Sequence, residues 1–165
     1  MQLRQFREGD EAALFRVFCS SIRDIAARDY TPQQIAAWAS EDIDAHHWAA
    51  LMRKLQPFVV EIAGDIAGYA DVQSDGYIDH FFVSGKYPRQ GVGRLLMNAI
   101  YEEAARLELS ELTAQVSKTA EPFFRQQGFV LMERGFPVRR GVTLENARMR
   151  KSLRLRGDNC SGLPT

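Results

Sequence analysis

Residues 84–94 read SGKYPRQGVGR and hold the most informative pattern in the chain. Before them, residues 77–83 alternate as a strand does, and after them apolar residues recur at helical spacing over 92–107. Gly91 and Gly93 let the backbone come close to a ligand, and the helix that they begin presents free N–H groups and the positive end of its dipole. The pattern therefore predicts a strand, loop and helix that bind a phosphate or pyrophosphate.

Arg89 and Arg94 flank the two glycines and offer charge-assisted contacts to phosphate oxygens. Two familiar nucleotide loops do not fit this segment. The dinucleotide-binding fingerprint requires a third glycine where Leu96 stands, and the Walker loop requires Gly-Lys-Ser/Thr, which the chain lacks. A Gly-x-Gly pair before a helix is also common in tight turns, so its flanking sequence has to decide the function.

Upstream of this unit, the sequence predicts one strand and three helices. Residues 1–7 alternate between polar and apolar, and helical spacing follows over 13–25 with Asp10 as the cap. Thr31 caps a second helix that has proline at its first position, and residues 44–55 form a third. Helices this short commonly form walls around a site.

Antiparallel strands and one more helix complete the predicted fold. The predicted elements are a β-hairpin over 58–72, a neighbouring strand over 77–83, strands at 111–116, 129–132 and 141–153, and a helix over 120–127. We therefore expect one mixed α+β domain over residues 1–153, followed by a polar, disordered tail over 154–165.

Charge balance and cysteine content exclude several classes of function. Twenty-one basic residues balance twenty-one acidic ones, so no overall field attracts nucleic acid or an anionic membrane. No apolar run is long enough to cross a bilayer, and the N-terminus lacks the apolar stretch of a secretory signal, so we expect a cytoplasmic protein. Cys19 and Cys160 suggest no disulfide, and the adjacent His46 and His47 form a poor metal pair, so we expect no metal.

Two motifs resemble the signatures of the GNAT (general N-acetyltransferase) superfamily. Residues 88–93, PRQGVG, are similar to its acetyl-CoA signature, Gln/Arg-x-x-Gly-x-Gly/Ala. Residues 120–129, AEPFFRQQGF, are similar to its second signature, Ala-x-x-Phe-Tyr-x-x-x-Gly-Phe. The resemblance covers residues 2–153, and residues 30–38 and 140–146 further resemble the YafP-like bacterial branch.

The resemblance implies a central, mostly antiparallel twisted sheet of roughly six to seven strands flanked by helices. It also implies an N-acetyltransferase that moves an acetyl group from acetyl-CoA to a primary amine of a small molecule or peptide, by direct attack in a ternary complex. Members often form homodimers, so a homodimer is among the expected assemblies.

Two departures from the family pattern keep an alternative open. Pro88 has neither an N–H nor a polar side chain for the first pyrophosphate contact. Phe124 stands where many relatives carry a tyrosine that acts as the acid. The alternative is a non-catalytic acyl-CoA-binding sensor or interaction module.

The reaction needs a base, because an amine must be neutral before it attacks a thioester. By position, Asp79 and Tyr77 resemble the base sites that the superfamily carries on the strand before the phosphate loop. Asp79 is the first choice, because a carboxylate beside apolar Phe81 can take the proton directly or through water. Strand alternation is expected to place Tyr77, Asp79 and Phe81 on one face, and Ile78, His80 and Phe82 on the other.

The resemblance assigns acetyl-CoA to this strand, the loop after it and the second motif. Backbone N–H groups over 81–83 are expected to hold the thioester oxyanion, so no side chain is needed for it. The proton for the departing thiolate stays open between solvent, Tyr77 and Tyr30. The expected cofactor-binding residues are Phe81, Phe82, Val83, Arg89, Gln90, Gly91, Val92, Gly93, Arg94, Ser117, Lys118, Ala120, Phe123 and Phe124.

The acceptor pocket is expected among the helices of residues 11–55. Aromatic and imidazole side chains there are the ones most able to select a partner. The expected substrate-binding residues are Tyr30, Trp38 and His80, with His46, His47 and Trp48 as further candidates.

Overall fold

A computed structural model of the chain describes residues 1–154. The predicted tail, 154–165, lies outside the described residues except for Arg154. The α-helices are α1 (Glu11–Ser20), α2 (Pro32–Trp38), α3 (Ala45–Leu55), α4 (Val92–Arg106) and α5 (Glu121–Gln126). After α1 the chain continues as a π-helical turn, Ser21–Ile25, and a 3-10 turn, Ala26–Arg28. None of the helices within residues 1–154 has the length and apolar character needed to span a bilayer.

Strands form two four-stranded sheets and one short hairpin. The strands are β1 (Gln2–Gln5), β2 (Phe58–Ile62), β3 (Asp65–Ala70), β4 (Tyr77–Ile78), β5 (Phe81–Val83), β6 (Glu111–Ser117), β7 (Val130–Gly135), β8 (Val138–Arg139), β9 (Val142–Thr143) and β10 (Asn146–Ser152). One sheet has the order β1-β2-β3-β5, the other β4-β6-β10-β7, and β8 pairs with β9. All of these pairs are antiparallel except β4 with β6. The expected fold, a mostly antiparallel sheet flanked by helices, is confirmed, and the sheet is divided in its middle.

Local sequence explains where the helices begin. The Thr31 side chain accepts from the Gln34 N–H while the Gln34 side chain accepts from the Thr31 N–H, which is a complete capping box at the start of α2. Asp10 is the N-cap residue of α1, as predicted, but its side chain does not bond to the helix. The Asp10 carboxylate accepts from the Arg7 N–H and pairs with Arg4 instead of bonding to the helix.

The sheet of β1, β2, β3 and β5 is covered by helices on both faces. Successive residues of a strand point to opposite sides, so Val59 packs with α1 and α3 while Val60 packs with α4. At Gly68, a side chain would begin 2.7 Å from Val92 Cγ1 and 3.0 Å from the Phe82 carbonyl oxygen. This close approach fixes the first turn of α4 against β3 and β5, and places the preceding loop beside the end of β5.

Two predicted strands differ from the observed ones. The strand predicted over 77–83 is wrong as a continuous element, because it divides into β4 and β5, which belong to different sheets. The strand predicted over 141–153 starts only at Asn146. Before it, Arg140 and Gly141 both have positive φ, 50° and 74°, which is the backbone of a two-residue hairpin turn between β8 and β9.

Candidate active site

A cleft opens between β5 and β6 because the chain over 77–83 changes partners. In β4, Tyr77 lies opposite Thr113 and Ile78 opposite Ala114, in parallel pairing with β6. A few residues later, β5 pairs with β3 instead. β5 and β6 therefore diverge with no strand between them, and the gap lies at the centre of the divided sheet.

The edge of β5 that faces this gap offers free backbone groups. The His80 carbonyl accepts from the Asp71 N–H at 3.1 Å, and the Ser84 N–H donates to β3 at 2.8 Å, so the even-numbered residues face β3. Backbone groups alternate in direction along a strand. Those of Phe81 and Val83 therefore point into the cleft, where an extended ligand can pair with them as an added strand would.

The cleft has a volume of about 490 Å³. Most residues expected from the sequence line it: Trp38, Asp79, Phe81, Phe82, Val83, Arg89, Gln90, Gly91, Val92, Gly93, Arg94, Ser117, Ala120, Phe123 and Phe124. Four others, Tyr30, Tyr77, His80 and Lys118, lie outside its lining, as do His46, His47 and Trp48. Across residues 1–154, no group of three or more His, Cys, Asp or Glu side chains is placed to hold a metal ion.

One end of the cleft is built for an anion. Gly91 is the N-cap of α4 with φ of 82°, and no side chain caps the helix there. The first turn of α4 therefore presents its N–H groups and the positive end of the helix dipole to the cleft. Arg89 and Arg94 line the same cavity, and neither forms an ion pair in the part of the chain that the structure describes. Their charge is available to a phosphate group.

A β-bulge at residues 78–79 separates β4 from β5. The Asp71 N–H donates to the His80 carbonyl, and two residues further along its strand the Gln73 N–H donates to the Tyr77 carbonyl at 2.9 Å. Between these two bonds, one strand has two residues where its partner has one. The extra residue interrupts the regular alternation of side chains between β4 and β5.

The bulge shifts the alternation that the sequence predicts. Ile78 packs in the same core as Phe81, on the α4 side, whereas Phe82 packs on the α1 side with the ring of His80. The prediction that Ile78 shares a face with His80 is therefore wrong, because the extra residue of the bulge shifts the alternation of side chains between the two faces by one position. Asp79 is exposed and lines the cleft.

Asp71 holds the bulge together and was missed by the sequence interpretation. Its side chain is buried, with 1% of the residue exposed. One carboxylate oxygen accepts from the His80 N–H at 2.6 Å, and the other accepts from the Gln73 side chain at 2.5 Å and from the Asp79 N–H at 3.4 Å. The only signal in the sequence is an acidic residue directly after an apolar strand.

Burial raises the pKa of the Asp71 carboxyl from its ordinary 3.8 to about 6, although the hydrogen bonds that it accepts oppose the shift. Between pH 6 and pH 4, the folded chain thus keeps a proton on Asp71 that the unfolded chain has released. The contribution of Asp71 to the free energy of unfolding is therefore smallest above about pH 6 and rises as the pH falls, by up to about 3 kcal/mol.

Asp71→Asn removes this titration, so we expect the stability advantage of the wild type over the variant to grow as the pH falls from about 7 to about 4. Urea unfolding of both proteins across this range measures the difference. Asp42→Asn, an exposed carboxylate outside the cleft, is the matched control. Parallel stability curves for the wild type and Asp71→Asn would contradict the prediction.

His80 belongs to an aromatic cluster behind the cleft. Its Nδ1 lies 2.9 Å from the Tyr69 hydroxyl, and its ring lies 6.0 Å from that of Phe18 and 5.8 Å from that of Trp48. Burial lowers the pKa of His80, against the opposing effect of Asp79, so the imidazole is neutral near pH 7. His80 is not among the residues that line the cleft, so its predicted substrate contact stays a prediction.

Tyr30 ties distant parts of the chain together. It is buried, its hydroxyl donates to the Glu145 carbonyl, and it accepts from the Lys118 N–H at 3.0 Å. The Lys118 ammonium group pairs with the Glu145 carboxylate at 3.2 Å. The polar groups of both residues are thus bonded within the protein.

Tyr30→Phe is expected to lower the free energy of unfolding by about 1–3 kcal/mol, because two backbone groups lose their partner. For a chain of this length, that is a fall in Tm of about 2–4 °C per kcal/mol. Tyr87→Phe is a suitable control, since the Tyr87 hydroxyl makes an exposed bond to Asp65 and its loss should cost less. An unchanged Tm for Tyr30→Phe would show that the hydroxyl does not stabilise the fold.

Tyr77, a predicted catalytic residue, and Phe124, which replaces the tyrosine of many relatives, offer little acid or base chemistry to the cleft. Tyr77 is half-buried, and burial together with Asp79 and Asp71 raises its pKa, so it stays protonated near neutral pH. Phe124 is buried, and its ring lies 5.5 Å from that of Phe81 and 5.0 Å from that of Phe129. Asp79 is the one carboxylate that lines the cleft within residues 1–154.

One wall of the cleft comes from a helical irregularity that periodicity does not predict. The π-helical turn after α1 brings Ser21, Ile22 and Ile25 to the cleft, and Ala26 follows them. π-turns widen a helix by one residue and are frequent at functional sites. Trp38, at the end of α2, lines the same cleft, as expected from the sequence.

Thr119 is a further cleft residue that the sequence interpretation missed. Its Oγ1 is buried and has no hydrogen-bond partner among the described residues. A buried hydroxyl without a partner is unfavourable. A ligand that bonds to it is therefore favoured, and coenzyme A, with amide and phosphate groups along its length, has the donors and acceptors that such a cleft can use.

Comparison with known proteins gives consistent matches along the chain. Residues 26–153 match the model of the acetyltransferase (GNAT) domain. The uncharacterized N-acetyltransferase YafP of Escherichia coli (strain K12) is 33% identical over 150 residues, which is 91% of this chain and 95% of YafP.

Solved structures share the fold. A GCN5-related N-acetyltransferase from Rhodopseudomonas palustris superposes with a TM-score of 0.88 at 30% identity, over 92% of this chain and 95% of that one. The acetyltransferase yncA from Salmonella typhimurium, solved with acetyl-CoA, superposes with a TM-score of 0.67 at 19% identity, over 93% and 94% of the two chains.

Proposed function

Because the chain belongs to the GNAT acetyltransferase family, we propose that it moves an acetyl group from acetyl-CoA to a primary amine. The observation that carries this proposal is the cleft between β5 and β6. It combines an uncapped helix terminus, a strand edge with free backbone groups and an exposed carboxylate, Asp79, in one cavity. The helix terminus can bind the phosphates of coenzyme A, the strand edge can bind the arm that carries the thioester, and the carboxylate can bind an amine.

The residues present suit acetyl-CoA, which supplies an acetyl group activated as a thioester. The first turn of α4, with Arg89 and Arg94, is suited to the pyrophosphate. The backbone groups of Phe81 and Val83 suit the amide-containing arm, and the Thr119 hydroxyl gains a partner. Pro88 contributes no N–H, so the phosphate contacts come from the residues after it.

In the proposed reaction, Asp79 takes one proton from the acceptor ammonium group, directly or through water, and passes it to solvent. The neutral amine nitrogen then attacks the thioester carbonyl carbon, so a C–N bond forms and the C–S bond breaks. The coenzyme A thiolate leaves with the electron pair of the C–S bond and takes the second proton that the nitrogen sheds. Backbone N–H groups of Phe81 and Val83, which point into the cleft, are the proposed donors to the oxyanion that forms on the thioester oxygen.

A second candidate function is an acyl-CoA-binding sensor without transferase activity. The observation that favours it is the second motif, where Phe124 is buried among aromatic rings and offers no acid. The sensor and the transferase share the cofactor cleft and differ only in what happens to the acetyl group.

Thermal unfolding with and without about 1 mM acetyl-CoA tests both functions. Binding at a hundredfold excess over Kd stabilises the folded chain by about 2.7 kcal/mol, which is a rise in Tm of about 5–10 °C. Release of coenzyme A in the presence of a panel of amines, with mass spectrometry of the products, tests transfer. An unchanged Tm would overturn acetyl-CoA binding, and a raised Tm without any acetylated product would favour the sensor.

A further inference from the structure

One wall of the cleft, to which the π-helical turn, Trp38 and Phe82 contribute, is largely apolar. Trp38 is held in place there, with its ring 6.4 Å from that of Phe82 and 5.5 Å from that of Tyr30. With one hydroxyl as the exception, the side chains of this wall are hydrocarbon or aromatic. They are Ser21, Ile22, Ile25, Ala26, Trp38 and Phe82.

The charges that line the cleft are unbalanced. Among the described residues it contains one carboxylate, Asp79, and three guanidinium groups, those of Arg28, Arg89 and Arg94. Neither Asp79 nor Arg28 has an ion-pair partner within residues 1–154. One ammonium group can therefore be neutralised by Asp79. A second would find no other carboxylate among the described residues that line the cleft, so it would lose solvation without being neutralised.

We propose that the acceptor is an amine with a single positive charge and an apolar body, and that polyamines, aminoglycosides and lysine-rich peptides are excluded. This inference rests on the proposed function and specifies the acceptor of the same cleft. The ammonium group lies at Asp79, where it loses its proton, and the apolar body lies against Trp38 and the π-helical turn. Burial of that body supplies the affinity, at about 25 cal/mol per Å² of apolar surface.

Two acceptors of the same chain length measure the effect of a second positive charge on binding. Hexylamine and hexane-1,6-diamine have the same chain length and differ by one ammonium group. We expect the complex of the protein with coenzyme A, which carries no acetyl group and cannot react, to bind hexylamine at least about tenfold more tightly in calorimetry, a difference of about 1.4 kcal/mol. With acetyl-CoA, kcat/KM is expected to favour hexylamine by a similar factor.

Trp38→Ala is expected to weaken hexylamine binding about tenfold or more, because the indole supplies apolar surface to the proposed acceptor. The affinity for acetyl-CoA should stay within about twofold, because the proposed phosphate contacts are made by α4, Arg89 and Arg94. Phe136→Ala is the matched control, since Phe136 is exposed and lies outside the cleft. It should change neither affinity.

The two measurements separate the inference from the function on which it rests. Equal or tighter binding of the diamine, or an unchanged hexylamine affinity in Trp38→Ala, would overturn the acceptor class whether or not acetyl transfer occurs. Preferential binding of hexylamine without turnover would support the apolar monoamine as the ligand and overturn the transferase. Efficient acetylation of spermidine would support the transferase and overturn the acceptor class.

Discussion

Asp79→Asn lowers kcat for acetyl transfer by about 100- to 10,000-fold in our expectation, because it removes the proposed base while keeping the size of the side chain. The affinity for acetyl-CoA should stay within about twofold of the wild type, since the proposed phosphate contacts are made by the N-terminus of α4. Steady-state kinetics and calorimetry measure the two quantities separately.

The pH dependence of the variant carries a second signature. Because Asp79→Asn lacks the base, its rate of acetyl transfer depends on the fraction of acceptor that is already neutral in solution. Its rate should rise about tenfold per pH unit towards the pKa of the amine, near 10. Asp42→Asn has the same chemical change at an exposed site outside the cleft and should behave as the wild type. A kcat for Asp79→Asn within about threefold of the wild type would remove Asp79 from the mechanism.

Gly93→Asp is expected to lower the affinity for acetyl-CoA by at least about 100-fold without lowering the Tm. A carboxylate in the first turn of a helix stabilises the helix by about 0.3–1 kcal/mol. The same charge, about 4 Å from a phosphate, is unfavourable by about 4 kcal/mol at an effective dielectric constant of 20. A Cβ at this position makes only ordinary contacts, at 3.4 Å to Phe123 and 3.8 Å to Phe81, so the fold has room for it.

Gly93→Asn provides the neutral control, since its side chain has nearly the same shape. Its loss of affinity should be much smaller, and the difference between the two variants should shrink at high salt because screening weakens charge repulsion. Calorimetry at low and high ionic strength measures both effects. Equal losses for the two variants would mean that the side chain obstructs the cleft sterically and that no phosphate lies at the start of α4.

Structural features that depend on residues close together in the sequence were predictable. The capping box at Thr31, the amphipathic α4 and the glycines before it follow from neighbours three or four residues apart. The family and the fold class followed from two motifs of ten residues or fewer. Most of the expected cofactor residues line the cleft for the same reason, because they belong to one continuous segment and its partner motif.

Features that depend on distant partners were not predictable. The Tyr30 hydroxyl bonds to the backbone of Glu145, 115 residues later, and nothing near Tyr30 indicates this. The bulge at 78–79 is held by Asp71, which directly follows β3, and the alternation of residues 77–83 gives no sign of an extra residue. The π-helical turn at Ser21–Ile25 similarly reads as ordinary helix in the sequence.

The bulge also sets a limit on how this protein can evolve greater stability. Deleting one residue there would let residues 77–83 pair without interruption with the segment that continues β3. The same change would shift the alternation by one residue and alter which side chains face the cleft around Asp79. Selection for a more regular sheet and selection for the site thus act in opposite directions on the same two residues, so a stabilised descendant that keeps its activity has to gain its stability elsewhere.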